Sequence, residues 1–315
     1  MKIGLIGQYS TTVEAVRALQ QAGHTVEVFA PQSASAAFSK FGINNLVANV
    51  RYFDSIQSEE TLNLFKHHAP EAILSVVFGG KIPQEIVDLA PAGAYNFHPA
   101  KLPEFRSGNA WFWPIRMGAE TSALTIHRLS QQWDSGNVVW EKEFPLGGCD
   151  TQGIYVERVN ALVPEFIREW SYVLETRNFP EKVQDESLAV YYPKIKFRDI
   201  MIDWTETSAS ISNLVKACNP YHFAQTILKG SVFEVVEASV TDVPSKEAAL
   251  IRVENDRLYV GTADFDIEIK VVKFFEFGTF SAKRVLNLYV LSSGDRAKNL
   301  ASDPAVADIL DEVIQ

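Results

Sequence analysis

The chain has 315 residues and a mass of 35.2 kDa, a length that suits two domains better than one and is sufficient to bury a core. Apolar residues make up 47% and charged residues 22%, which excludes a disordered, collagen-like or coiled-coil architecture. The formal net charge is −10, and both halves of the chain contribute to it, so a polyanion could bind only to a local patch of Lys and Arg.

The cysteines, Cys149 and Cys218, are too few for a disulfide scaffold or a Cys-rich zinc site. They favour a reducing compartment, so we expect a cytoplasmic protein. The N-terminal sequence MKIGLIGQYS reaches glycine and polar residues too early for a signal peptide, and no stretch approaches the ~20 apolar residues of a membrane span. We therefore expect no export, no membrane partner and no bound metal.

Strand and helix patterns alternate along the N-terminal part of the chain. Short apolar runs predict strands at 2–6, 25–30, 72–78, 93–97, 121–129 and 138–144. The spacing of apolar residues predicts helices at 12–22, 59–67 and 83–89 and, after an Asp150-Thr151 cap, a long helix to residue 174. A β-α-β beginning of this kind is typical of a parallel sheet with helices packed against it.

The pattern changes after residue 178. Residues 179–200 contain prolines and alternating charges, and they are predicted to link a first domain at 1–178 to a second at 201–315. In the second domain we expect a helix at 208–217, and the short alternating segments from 224 to 291 indicate a small barrel or sandwich. An N-cap, a proline and an apolar stripe predict a terminal helix from Ser302.

Polar residues stand at the end of one predicted strand. Asn96 and His98 are two apart, which puts both side chains on one face of a strand, and open α/β sheets bind ligands at the carboxyl ends of their strands. Asp134 follows in a turn-forming Trp-Asp-Ser-Gly sequence. An amide and an imidazolium can hold a tetrahedral oxyanion, while a carboxylate keeps the imidazole charged and accepts protons, which suits acyl transfer. Alternatively, Asn96 and His98 only satisfy backbone groups and Asp134 only starts a turn.

The order of motifs around these residues resembles that of the folate-dependent formyltransferases. The Asn-x-His pair is followed by a Leu-Pro-Glu-Phe-Arg segment at 102–106, and a Thr-Ile-His strand ending at His127 precedes the Asp-Ser-Gly turn at 134–136. The resemblance extends upstream to the loop at 77–83. Downstream, QDESLAVYYPKI and the sequence after it are similar to the linker and C-terminal domain of the members that formylate methionyl-tRNA. It therefore covers almost the whole chain.

This resemblance implies a Rossmann-like catalytic domain followed by an OB-like β-barrel, with 10-formyltetrahydrofolate as formyl donor and a primary amine as acceptor. It implies that Asn96 hydrogen-bonds the formyl oxygen, that His98 stabilises the oxyanion, and that Asp134 sets the charge of His98 and takes the amine proton. The folate would contact Phe78, Gly79, Gly80, Lys81, Ile82, Leu102 and Pro103. The acceptor would contact Arg106, Ser107, Asn109 and Trp111. His127 is expected to support the site or the core rather than to ligate a metal.

Two positions depart from the family pattern. Ser107 replaces a usual glycine and Ala110 replaces a common proline. Because serine has less conformational freedom than glycine, and because this loop borders the acceptor side, the change puts the acceptor rather than the donor in question. Beside them, Trp111 and Trp113 suit either a stacking wall for a ring or the packing of a helix against the sheet.

Three interpretations of the acceptor remain open. In the first, the acceptor is a small amine such as a nucleotide-linked amino sugar. In the second, it is charged methionyl-tRNA. In the third, the protein has no acceptor, because it is a catalytically idle folate-binding relative. The intact Asn96, His98 and Asp134 disfavour the third. Members that act on tRNA are expected to carry a basic insertion after the second strand, where this chain has only Lys40 and Arg51, so the small amine is slightly favoured. The oligomeric state, a homodimer included, and the role of the second domain stay open.

Overall fold

The computed structural model describes residues 1–47, 50–148, 150–176, 181–274 and 277–298. The chain forms two compact units. The first comprises residues 1–110, 121–145 and 156–193, and the second comprises residues 111–120, 146–155 and the chain from 194 onward. Within the ranges just given, no helix is long and apolar enough to cross a membrane. The terminal helix predicted from Ser302 lies outside the described residues.

The first unit is built around a seven-stranded sheet. Its strands are β1 (Lys2–Gly7), β2 (Thr25–Pro31), β3 (Val50–Phe53), β4 (Ala72–Val76), β5 (Ala94–His98), β7 (Thr121–Arg128) and β8 (Val138–Pro145). A two-residue strand, β6 (Arg106–Ser107), pairs with β9 (Tyr191–Tyr192) outside this sheet. The order is β3-β2-β1-β4-β5-β7-β8, with β3 to β5 parallel and with β7 and β8 antiparallel to their neighbours. This Rossmann-like sheet confirms the predicted α/β class.

Helices connect and flank these strands. The first four are α1 (Ser10–Gln21), α2 (Ser35–Phe41), α3 (Glu59–His68) and α4 (Gln84–Val87). A short α5 (Trp113–Arg116) belongs to the second unit, and the long α6 (Gln152–Thr176) begins there and continues in the first. Short 3-10 turns occupy Gln32–Ala34, Ile43–Asn45, Glu186–Leu188 and Phe197–Ile200.

The packing of β5 against α6 determines which residues of β5 face the site. Tyr95 and Phe97 meet Trp170 and Phe166 of α6 edge to face, with ring centroids 5.4 and 5.9 Å apart. All four rings are buried. Because side chains alternate along a strand, Asn96 and His98 lie on the opposite face of the sheet.

The second unit contains a curled antiparallel sheet. Its strands are β10 (Ala224–Leu228), β11 (Ser231–Pro244), β12 (Ile251–Glu254), β13 (Arg257–Val260), β14 (Phe265–Phe274), β15 (Gly278–Ser281) and β16 (Ala297–Lys298). Their order is β12-β13-β14-β11-β10-β16, with β15 on β14. The N–H groups of Gly294, just before β16, and of Ala297, within it, donate to the carbonyls of Ile251 and Ala249. These bonds connect the β16 edge of the sheet to the β12 edge. With α7 (Ser208–Cys218) and α8 (Ala282–Tyr289), this half-barrel agrees with the small C-terminal β domain that the resemblance implies.

Sequence patterns locate most of these elements and miss a few. β4 ends at Val76, two residues before the predicted end at 78, because Val77 adopts a left-handed conformation with φ of 49°. The predictions contain no α2, β3 or α8. The first is a short run of small residues, the second has only four residues, and the third lies among strands.

The segment predicted as a linker, 179–200, divides at Pro193. Its described residues up to Pro193 belong to the first unit, and Lys194 and the residues after it belong to the second. The backbone groups of Lys182 and Val138 exchange two hydrogen bonds of 2.9 Å, and the backbone N–H of Arg106 donates to the Val190 carbonyl at 3.1 Å. These bonds join distant parts of the sequence, which local composition does not reveal.

The α6 contact predicts a difference between two aromatic residues of the same helix. Trp170→Ala should lower the free energy of unfolding by about 3–5 kcal/mol, because it leaves a cavity beside Tyr95. The control Tyr172→Ala, at a side chain that is 70% exposed, should change it by less than about 0.5 kcal/mol. Urea unfolding followed by circular dichroism measures both, and equal losses would contradict the packing described here.

Candidate active site

Asn96 of β5 lies directly opposite His127 of β7, since the two residues are paired in register. Asn96 Nδ2 is 3.1 Å from His127 Nε2, and His127 Nδ1 is 2.9 Å from the Arg128 carbonyl oxygen. A carbonyl only accepts hydrogen bonds, so Nδ1 donates to it, and in the tautomer protonated only at Nδ1 the Nε2 atom accepts from the Asn96 amide. This bond fixes the amide orientation and uses one of the two hydrogens on Nδ2.

Asp134 reaches both histidines from the loop between β7 and β8. Its Oδ1 is 3.7 Å from His98 Nδ1 and 3.5 Å from His127 Nε2. Its Oδ2 accepts a hydrogen bond of 3.2 Å from the backbone N–H of Ser107. Asp134 is 9% exposed and His98 only 4%. The structure thus brings the three predicted catalytic residues together in a largely buried cluster.

Burial determines the charge state of this cluster. It holds the pKa of His98 below the ordinary histidine value of 6.5, although the Asp134 carboxylate acts in the opposite direction. His98 Nε2 is 2.9 Å from the Phe105 carbonyl and therefore carries the proton. Burial would raise the pKa of Asp134, but the two histidines and the Ser107 amide outweigh it and lower that pKa. Burial and the Asp134 carboxylate thus act on the pKa of His98 in opposite directions, and burial has the larger effect.

The turn that carries Asp134 has an unusual backbone. Asp134 adopts φ of 53°, a left-handed conformation that residues other than glycine rarely adopt. Two residues later, a Cβ on Gly136 would lie 1.9 Å from the Arg128 carbonyl oxygen, so only glycine fits there. This close approach gives a physical reason for the Asp-Ser-Gly sequence.

The residues predicted to bind folate lie in two loops of the first unit. Phe78 and Ile82 pack against the apolar core, and Phe78 meets Phe53 edge to face at 6.0 Å. Lys81 is exposed, and its carbonyl accepts from the Gln57 side chain. A Cβ on Gly80 would lie 2.6 Å from the Phe78 ring, whereas Gly79 has open space around it. Leu102 and Pro103, joined by a cis peptide bond, are buried. Among the described residues, no group of three or more His, Cys, Asp or Glu could hold a metal ion.

The residues predicted to bind the acceptor have different environments. Arg106 is fully buried, and its guanidinium contacts Gln184 and Glu186 rather than an open pocket. Ser107 lies in β6, whose extended backbone any residue can adopt, so replacing a glycine causes no strain there. Its Oγ accepts from the Asn109 N–H at 2.9 Å. Trp111 belongs to the second unit, where its ring meets Tyr155 edge to face with centroids 5.7 Å apart.

Sequence reasoning missed part of this site. It assigned His127 only a supporting role of unspecified kind, since the contact with Asn96 depends on the antiparallel register of β5 and β7. It also missed Gln184, whose Nε2 donates to the carbonyls of Asp134 at 2.8 Å and Gly136 at 2.7 Å. The Thr-Ile-His motif was a usable signal for the first residue, whereas a lone glutamine in a polar segment gives none.

Two known family models match this chain. The family model described as formyl transferase matches residues 1–169, more than half of the chain. The chain belongs to the formyltransferase family. A second model, the formyl transferase C-terminal domain, matches residues 194–289 of this formyltransferase. The matches confirm the family that the motifs predict.

Relatives with different acceptors resemble this formyltransferase. The methionyl-tRNA formyltransferase of Thermotoga maritima is 25% identical over 70% of this chain and 71% of its own. An N-formyltransferase from Helicobacter canadensis, solved with folinic acid and dTDP-3-aminofucose, has a TM-score of 0.65 and 14% identity, covering 85% of this chain and 98% of its own. HypX from Aquifex aeolicus, solved with tetrahydrofolic acid, has a TM-score of 0.65 and 20% identity over 92% of this chain. The chain spans about half of HypX, 47% of its length.

The turn geometry predicts a severe effect of one methyl group. Gly136→Ala should lower the free energy of unfolding by about 1–3 kcal/mol, because the new Cβ meets a backbone oxygen that cannot move aside alone. Gly148→Ala is the control, since a Cβ there has no atom within 4 Å. Thermal unfolding measures both variants, and a Gly136→Ala protein as stable as the control would contradict the turn geometry.

Proposed function

We propose that this formyltransferase transfers a formyl group from 10-formyltetrahydrofolate to the primary amine of a small molecule, such as a nucleotide-linked amino sugar. The observation that carries the proposal is the cluster of Asn96, His98 and Asp134. The cluster combines an amide donor, an imidazole that its lowered pKa leaves mainly neutral at neutral pH, and an ionised carboxylate. Asp134 Oδ1 lies 3.7 Å from His98 Nδ1 and 3.5 Å from His127 Nε2, which is 3.1 Å from Asn96 Nδ2.

In this proposal the amide and the histidine–carboxylate pair have separate tasks. As the amine nitrogen bonds to the formyl carbon, the formyl oxygen gains negative charge, and the second N–H of Asn96 donates to it. His98 and Asp134 together carry one negative charge and can take up the proton that the amine loses. When the bond between the formyl carbon and N10 of the folate breaks, N10 receives one proton and the pair returns to its first state.

The neutral state of His98 alters the role expected for it. A charged imidazole would stabilise the oxyanion directly, whereas a neutral one with its proton on Nε2 has Nδ1 free of a proton and directed at Asp134. Proton uptake at Nδ1 creates an imidazolium beside the carboxylate, whose negative charge stabilises it against the opposing effect of burial. His98 therefore acts first as part of the proton acceptor.

The choice of a small amine rests on charge placement. After β2, the exposed Lys40 and the half-buried Arg51 are the only basic residues up to position 51, and the Arg51 guanidinium pairs with Glu27. In the second unit many basic side chains pair with neighbouring carboxylates. They are Lys229, Arg252, Arg257, Lys270, Lys273, Lys283 and Arg296. The carboxylate partner partly neutralises each of these cations, which lowers the positive potential that would attract a phosphate backbone.

Methionyl-tRNA is the second candidate acceptor. The relatives from Thermotoga maritima and Halothermothrix orenii favour it, because both are named methionyl-tRNA formyltransferase and match this chain across most of their length. Both candidates use the same cluster and the same donor, so they differ only in how the acceptor is held. Formyl transfer from 10-formyltetrahydrofolate to a panel of amino sugars and to charged methionyl-tRNA distinguishes them.

The proton-acceptor role predicts both a rate loss and a pH dependence. His98→Ala should lower kcat by about 10²–10³-fold, because it removes half of the acceptor pair. In the unchanged enzyme kcat should be flat through neutral pH. It should fall only as His98 becomes protonated, and the lowered pKa places that limb below 6.5.

Measuring kcat at saturating substrates between acidic and neutral pH tests this assignment. The His98→Ala variant serves as the control because its residual rate should lack the acidic limb. Near-normal turnover of that variant, or an acidic limb above pH 6.5 in the unchanged enzyme, would remove His98 from the proton path.

Salt dependence tests the acceptor class. A tRNA held through six or more phosphates loses about 10³-fold or more in affinity between ~50 and ~200 mM salt, whereas a small amine linked to a diphosphate engages few cations. We expect the KM for the accepted amine to change little over that range. Efficient formylation of methionyl-tRNA with a steep salt dependence, and no turnover of any amino sugar, would favour the second candidate.

A further inference from the structure

Residues 182–192 form a strap that crosses the site loops of the first unit. At one end Lys182 exchanges two backbone hydrogen bonds with Val138, just after the turn that carries Asp134. At the other end β9 pairs with β6, and the Val190 N–H donates to the Pro103 carbonyl at 3.2 Å. The strap is therefore anchored on both sides of Asp134.

Within this strap, Gln184 is the residue that holds the Asp134 turn. Its side chain is buried, with 6% exposure. Its Nε2 donates to the Asp134 carbonyl at 2.8 Å and to the Gly136 carbonyl at 2.7 Å. Its Oε1 accepts from Arg106 Nε at 3.1 Å and Nη2 at 2.8 Å. Both hydrogens and the oxygen of the amide are thus used.

Arg106 fixes which way round this amide lies. A guanidinium has only donors, so the amide oxygen must face Arg106 and the NH₂ group must face the turn. Glu186 holds the guanidinium in place through two bonds, from Nη2 to Oε1 at 2.7 Å and from Nη1 to Oε2 at 3.0 Å. The amide cannot rotate to the opposite orientation without placing two donors against each other.

The turn needs such support because its backbone is unusual. Asp134 adopts φ of 53°, and both carbonyls that flank the next residue are bonded by Gln184. The direction of the Asp134 side chain follows from this backbone conformation. If the turn relaxes, the carboxylate moves relative to His98, His127 and the Ser107 N–H.

We propose that Gln184 is a positioning residue for formyl transfer, which holds the Asp134 carboxylate against His98 while Arg106 fixes the Gln184 amide. Its effect on turnover rests on the proposed function. Its effect on the geometry of Asp134 does not, so the two are measured separately.

The turnover test uses two substitutions at the same position. Gln184→Met keeps the approximate length and removes all four bonds. Gln184→Glu keeps an acceptor for Arg106 and places carboxylate oxygens against the two carbonyls. Both should lower kcat by about 10- to 100-fold, a loss typical of residues that orient a catalytic group. The KM values for donor and acceptor should stay within about threefold, because Gln184 is buried and its amide is used by Arg106 and the Asp134 turn. Asp185→Asn, at the adjacent exposed position whose carboxylate caps only Ser187, is the control and should keep the normal rate.

The geometric test follows the titration of His98 by NMR, with the resonance assigned from the His98→Ala spectrum. Asp134 raises the pKa of His98, whereas burial and His127 lower it. Gln184→Met should therefore lower the pKa of His98 further, in the same direction as Asp134→Asn, while Asp185→Asn leaves it unchanged. This measurement needs no substrate.

The outcomes are distinct. A folded Gln184→Met protein with normal kcat and an unchanged His98 titration would overturn the proposal, as would failure of both Gln184 variants to fold, which would assign the residue to stability. A shifted His98 titration in a protein that formylates no amine would support the positioning role and refute the proposed function.

Discussion

The site depends on keeping one buried carboxylate ionised. Asp134 is almost removed from solvent, and a charge in such a place is strongly unfavourable unless donors surround it. The backbone N–H of Ser107 donates to Asp134 Oδ2, and the rings of His98 and His127 lie 3.7 and 3.5 Å from Asp134 Oδ1. A backbone carbonyl fixes the direction of each ring, Phe105 for His98 and Arg128 for His127. The carboxylate and its partners therefore form one network, in which moving any member disturbs the charge state of the others.

The mixed sheet explains how residues far apart in sequence enter this network. A purely parallel arrangement would need a crossover before the next strand, but β7 returns antiparallel beside β5 and so places His127 opposite Asn96. The same return leaves a long loop after His98, and this loop supplies the Phe105 carbonyl and the Ser107 N–H. On the other face of β5, the aromatic contacts with α6 hold the strand in place. The polar face is thus aligned by an apolar contact on the reverse side.

Most of the strands and helices could be predicted from the sequence, because the periodicity of apolar residues is a local property. The strands of the first unit, the long α6 and the strand-rich second unit all follow from it, and the shared face of Asn96 and His98 follows from a spacing of two. The network of contacts around Asp134 was harder to predict from the sequence. The contact of His127 with Asn96 requires the strand register, and the contact of Gln184 with the Asp134 turn joins residues 50 positions apart. The lowered pKa of His98 depends on burial, which no motif encodes. Arg106 was placed on the acceptor side by its position in a motif. Its partners, the buried Gln184 and the exposed Glu186, lie in a segment whose composition suggested only a linker.

The family models leave residues 170–193 between them, since one ends at 169 and the other begins at 194. That interval contains the end of α6, with the Trp170 ring against β5, and the whole strap with Gln184. A protein engineer who exchanges C-terminal domains between relatives at the first model's boundary would import a foreign strap and separate Arg106 from its partners. A junction after Pro193 keeps these contacts within a single parent. Modular exchange in this chain is thus constrained by where hydrogen bonds cross the connection, rather than by where recognisable domain sequences stop.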